Sequence, residues 1–319
     1  MLKITAFKKG KPSKNISIKN MQRLMSGDSM VWVDVERGNK KDFEFVSKTF
    51  KLHPLTLEDM RNSNSLPKID IVGKEYTMVI FHEIYYDKQV KKIRMSEVDF
   101  CMGKNFIITV HTAASASIEA VRKKFMTGMY PSIGPDKIMH GIMDMEVDGY
   151  MTMMDQLDSE IENLENRLLK GKTDGILGIL SNHRREVSDL RRIVGPQREI
   201  ISKIYHGESP MVSEGMLFYF RDISDTMFRF YSSLESHRDA ITSAFETYTS
   251  IQSNAINMVL KQLSIISTVF LPMSFIAGIY GTNFDFVPGL SHAYGFYMML
   301  FLLMTVGVGM YVYFKRKYR

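Results

Sequence analysis

Two stretches, residues 262–284 and 286–314, contain no Asp, Glu, Lys or Arg. Each exceeds the roughly 20 residues a helix needs to cross bilayer hydrocarbon, and Asp285 stands alone between them. Before Lys261, apolar and charged positions are mixed as in a water-facing domain. There MVWVDV (30–35), YTMVIFHEIYYD (76–87), SEVDFCM (96–102) and NFIITVH (105–111) are rich in the residue types that favour strands. The turn-prone pair Gly103–Lys104 separates the last two, so a partly antiparallel sheet is expected. Helical spacing predicts short helices at 42–52 and 117–126 and long ones at 138–170 and 177–204, broken near GKTDG. The fold class is therefore α+β, a mixed sheet with helical layers. After HGESP a further helical pattern runs from about 211 to 280 with no proline before Pro272. At 1.5 Å per residue it would be about 100 Å long, a stalk continuous with the first of two transmembrane helices.

Composition and charge orient this plan. The chain has 319 residues, 45% hydrophobic and 24% charged, which is the make-up of a folded protein. Lys315, Arg316, Lys317 and Arg319 follow the second apolar stretch, whereas the connection between the stretches has no Lys or Arg. Positive residues beside a span stay on the cytoplasmic side, so both termini are expected in the cytoplasm. The opening MLKITAFKKGK lacks the apolar core of a signal peptide and the pattern of a transit sequence, which points to a prokaryotic plasma membrane. The expected organisation is a cytosolic α/β domain at 1–210, a stalk at 211–258, and a first transmembrane helix at 259–280. An external loop at 281–290, a second transmembrane helix at 291–314 and a basic tail at 315–319 complete it.

Some chemistry is disfavoured at once. No GxxxxGK[ST] phosphate loop occurs, no histidine pair has metal-binding helical spacing, and the one cysteine, Cys101, can form no internal disulfide. His82 and His111 fall in strand patterns and read as satisfied structural residues. No nucleophile motif stands out, so an enzyme is not expected, nor an organic cofactor or a nucleic-acid partner. Eight acids lie between Asp144 and Glu165 without a Lys or Arg; a solvated helix face is the ordinary explanation. Along 257–278, Asn257, Leu260, Ser264, Ser267, Leu271, Ser274 and Gly278 recur at spacings of three and four. This stripe is either a close-packing seam or the wall of a water-containing pore, and the pore requires several copies of the chain.

FIAGIYGTNF after a long helix, then VPGL, a second apolar stretch and a basic tail, closely resembles the CorA family of magnesium and cobalt channels, two-span Gly-x-Asn metal ion transporters. The resemblance extends through VWVDV, HPLTLEDM, LPKID and LRRIVGPQREI in the same order. It implies a homopentameric funnel whose first spans line the pore, and passive uptake of Mg2+ or of Co2+ or Ni2+. The family's outer loop carries Gly-Met-Asn, whereas this chain has Gly281, Thr282 and Asn283. Thr282 keeps open a Zn2+ transporter on the same scaffold, and a membrane-anchored sensor or enzyme is the remoter alternative. Rings of Asn283 would capture a hydrated ion, because Mg2+ gives up its water reluctantly. Gly281 would let carbonyls approach the axis, and Asp285 would concentrate cations. Tyr280, Phe284 and Phe286 read as anchors at headgroup level. The resemblance further implies that Asp222 and Asp87, with Glu246 as a weaker candidate, bind regulatory Mg2+ between subunits and give feedback gating. It also implies that the acidic helix and the basic tail together influence cation passage.

Overall fold

The computed structural model of the chain describes residues 1–8, 11–13, 29–63, 65–87, 90, 92–127, 133–283, 287–289 and 292–317. The chain divides into two compact units, Met1–Ala244 and Phe245–Arg319.

The first unit is built on a sheet with strand order β2-β1-β3-β7-β6-β5-β4. Its strands are β1 (Leu2–Lys8), β2 (Lys11–Ser13), β3 (Ser29–Glu36), β4 (Lys68–Val72), β5 (Tyr76–Asp87), β6 (Lys92–Gly103) and β7 (Phe106–His111). Only β3 and β7 pair in parallel, so the sheet is mixed. Helices are α1 (Lys40–Phe50), α2 (Pro54–Arg61), α3 (Ala116–Met126), α4 (Pro135–Leu169), α5 (Ile176–Tyr205) and α6 (Glu214–Tyr280), the last running on into the second unit.

Central strands are buried on both faces, which is why β3 reads as a near-continuous apolar run. Alternate residues serve two cores. Trp32, Phe81, Phe100 and Ile107 pack with residues of α3, α4, α5 and the start of α6. Val31, Val33, Ile80 and Ile108 pack with Phe43 and Phe50 of α1 and Met60 of α2. At the β6–β7 turn a side chain on Gly103 would collide with the Phe106 ring, so the turn needs glycine. Asn39 caps α1 in a reciprocal box with Asp42, and His53 with Pro54 starts α2.

The four strands read from the pattern are present, as are the four helices, with ends moved by a few residues. The strands β1, β2 and β4 and the helix α2 went unrecognised in the sequence. The edge strands β2 and β4 are short and incompletely buried, β1 is buried over only part of its length, and α2 is too brief to establish a helical period.

The first 31 residues of α6 are held by a stripe of Met216, Phe220, Ile223, Met227, Phe230, Leu234, His237, Ile241 and Ala244, which alternates spacings of four and three. In the second unit, the remainder of α6 is joined by α7 (Gly295–Lys317).

Candidate ion pathway and carboxylate sites

Both α6 and α7 contain a segment long and apolar enough to cross a membrane. Pro272 lies inside α6; without an N–H it leaves the Thr268 carbonyl without its usual helical donor. The half-buried residues of this segment are Ile265, Val269, Pro272, Met273, Ile276 and Tyr280, which lie on one side of the helix. The second span meets the first here: a side-chain carbon on Gly307 would come within 2.9 Å of Met273 Sδ. Counting about 100° per residue, the stripe of Asn257, Leu260, Ser264, Ser267, Leu271, Ser274 and Gly278 points away from that side. All seven are exposed, Leu271 at 72%.

At the end of α6 the Gly281 N–H donates to the carbonyls of Ala277 and Gly278 at 3.0 and 3.2 Å. A side chain there would meet these oxygens no closer than 3.4 Å, so contacts within one chain do not demand glycine. The Thr282 hydroxyl donates back to the Ile279 carbonyl at 2.7 Å and closes the helix end. A methionine could not make this bond. Asn283 is exposed beyond it. Asp285, Phe284 and Phe286 lie outside the described residues. Lys315, Arg316 and Lys317 belong to the last turn of α7 rather than to a separate tail. Lys315 and Lys317 lie over the rings of Tyr311 and Tyr313 at 5.8 and 6.0 Å. Arg319 is outside the described residues.

The regulatory candidates are not assembled within one chain. Asp87 ends β5, where it accepts a hydrogen bond from the Val90 N–H at 3.3 Å and lies 4.0 Å from Arg94 Nε. Asp222 is exposed on α6, within electrostatic reach of His140 and Asp144 on α4. Glu246 is exposed in the second unit. Among the described residues no three His, Cys, Asp or Glu side chains gather to hold a metal ion.

His140 was missed by the sequence reading, although it sits four residues before Asp144 and so shares its helix face. His140, Asp144 and Asp148 line a cleft of about 550 Å³ with Lys124, Lys137 and Tyr219. Burial pushes the His140 imidazole down, against Asp144, a backbone bond and Asp222. Burial pushes the Asp144 carboxyl up, opposed by His140 and reinforced by Asp148 and Asp222. Such a group of carboxylates gains from any cation placed among them.

The acidic run is not a wholly solvated face. Glu146 is 5% exposed, and its carboxyl is pushed up to about 9, first by burial and then by Glu83. His111 is satisfied, as expected, by Asp34 and the Ala113 carbonyl. Burial would lower it, but the Asp34 bond prevails and raises it. The expectation fails for His82: its Nδ1 has no partner, and burial pushes the imidazole down to about 4. Cys101 is buried and its thiol pushed up, which makes it inert.

The family model "CorA-like Mg2+ transporter protein" matches residues 27–316. The chain is 28% identical over 307 residues to the cobalt/magnesium transport protein CorA of Thermotoga maritima, covering 95% of this chain and 87% of that protein. It is 22% identical to the zinc transport protein ZntB of Yersinia pseudotuberculosis, covering 93% of this chain and 90% of that protein. The complete structure of the CorA magnesium transporter from Methanocaldococcus jannaschii superposes with a TM-score of 0.84 at 17% identity, over 100% of this chain and 98% of that one. A mixed sheet with helical layers, a helix running on into an apolar span, a second apolar helix and a match from residue 27 to residue 316 thus converge: the chain belongs to the CorA family of metal-ion transporters, which are not enzymes.

Proposed function

We propose that the chain forms a homopentameric, passive divalent-cation channel in a prokaryotic plasma membrane, with both termini cytoplasmic and Mg2+ as its main substrate. The observation that carries this reading is the exposed stripe from Asn257 to Gly278, turned away from the second span. Seven small, polar or leucine side chains facing lipid would waste the hydroxyls and the amide, whereas around a central axis they line a path. Gly281, Thr282 and Asn283 follow that path outward, and neutral oxygens at its mouth suit an ion that keeps its water. The inward-negative potential would draw a divalent ion through with about 4.6 kcal/mol at 100 mV, so no nucleotide is needed.

A Zn2+ transporter on the same scaffold is the second reading, favoured by Thr282 and by the likeness to ZntB. Reconstitution into liposomes with Mg2+, Co2+, Ni2+ and Zn2+, with and without a proton gradient, separates the two. Selective Mg2+ uptake is expected, abolished in Asn283→Ala while the oligomer persists. Zn2+ flux that follows the proton gradient would establish the second reading. Uptake by Asn283→Ala equal to wild type would reduce the outer segment to a connecting turn.

A further inference from the structure

Of the eight acids of α4 between Asp144 and Glu165, Asp158 and Glu160 both pair with histidines. His237 of α6 approaches Asp158 through Nε2 at 2.6 Å, a bond that needs one N–H only. His183 of α5 is placed differently. It is 8% exposed, with Nε2 3.6 Å from Glu160 of α4 and Nδ1 3.6 Å from Glu186 of its own helix. These separations are too long for hydrogen bonds, and Nδ1 is buried without a partner.

A neutral imidazole has one N–H and one lone pair, and an ionised carboxylate only accepts. With a carboxylate at each nitrogen, either neutral tautomer turns a lone pair toward negative oxygen. The imidazolium alone has a donor for both. We propose that His183 is a proton-operated clasp: charged, it draws Glu160 and Glu186 together and fastens α4 to α5; neutral, it releases one side. His237 and Asp158 form the tie that holds in both states.

The charges facing this clasp come from three elements. Glu160 and Arg167 belong to α4, Arg185, Glu186 and Asp189 to α5, and Lys92 to β6; all line one cleft of about 620 Å³ with His183. Three acids and three cations thus face the ring, Glu160 and Glu186 each at 3.6 Å. Burial raises the Glu186 carboxyl, while His183 lowers it, Glu160 raises it and Lys92 lowers it. Histidine is the side chain whose ordinary ionisation falls between pH 5 and 8, which sets the two conditions to compare. This device is independent of which ion the protein carries.

The test is hydrogen exchange of the full-length protein in nanodiscs at pH 5.5 and 7.5, corrected for intrinsic rates, read on peptides covering residues 157–170 and 176–190. Wild type should be severalfold more protected there at the lower pH. His183→Gln should show the lower protection at both pH values. Glu160→Gln, at an exposed position that does not endanger folding, should reduce the pH difference and decides the matter where His183→Gln does not fold. Protection in wild type that is equal at both pH values, or a pH difference kept in full by Glu160→Gln, overturns the proposal.

Discussion

Glu146 shows how much one side chain can depend on its neighbours. It faces Glu83, also buried, and one of its oxygens has no partner. Its carboxyl is held near 9, well above the value of an unfolded chain. The folded state therefore retains a proton that the unfolded state gives up. Its contribution is full below the unfolded pKa and is lost as pH rises toward 9. Glu146→Gln keeps a neutral donor at every pH, so thermal unfolding of this variant should show a higher midpoint than wild type at pH 8.5 and no gain at pH 5. An equal shift at both would count against a shared proton. The sequence reading placed Glu146 among solvated acids because charge was counted along the chain. A signal was nonetheless present: Ile142, Glu146, Tyr150, Met153 and Leu157 follow one another at helical spacing, and all are buried. His82 had no comparable signal, because every second residue of β5 is buried on either face and alternation cannot say which polar group lacks a partner.

At the scale of the element, α6 carries two patterns along one helix. Its 4-3 count of buried residues from Met216 to Ala244, carried on, reaches Ile265, Val269, Pro272 and Ile276, which are half buried. The polar stripe keeps its own count on the opposite side, so the residues that contact the chain's own elements and those left exposed were separable from spacing alone. Whether the second set forms a seam or a wall was not, since both need small residues. Leu260 and Leu271 interrupt the stripe, and rings of apolar side chains close pores by dewetting. Leu271→Ser should raise ion leak through reconstituted protein severalfold without altering its oligomeric size. Unchanged leak with intact assembly would make the stripe a packing seam. The same element scale explains what was overlooked: β2 and β4 are short edge strands, β1 is buried over only part of its length and α2 is brief, so the apolar period fades in each.

At the scale of the whole molecule, the regulatory role proposed for Asp87 and Asp222 requires the two to meet between copies of the chain. Asp87 and Asp222 have separate neighbours in a single chain, and a cation between subunits would relieve their repulsion in the symmetric assembly. Only an ion that binds one state more tightly can shift the balance. Protease protection of the purified protein should therefore rise with Mg2+ concentration. Asp222→Ala should need more Mg2+ for the same protection, and Asp222→Lys should be protected without it, its ammonium standing where the ion would lie. Wild-type behaviour in both variants would exclude the clamp. The two membrane-crossing segments, the long helix and the family could be read from order and composition, because a bilayer imposes length and apolarity on contiguous residues and a family motif is contiguous too. The burial of Glu146, the partnerless nitrogens of His82 and His183, and the meeting of His140 and Asp144 with Asp222 were decided only by folding. Each depends on side chains from elements far apart in sequence, and the cost of burying a charge is set by the neighbours that the fold brings to it.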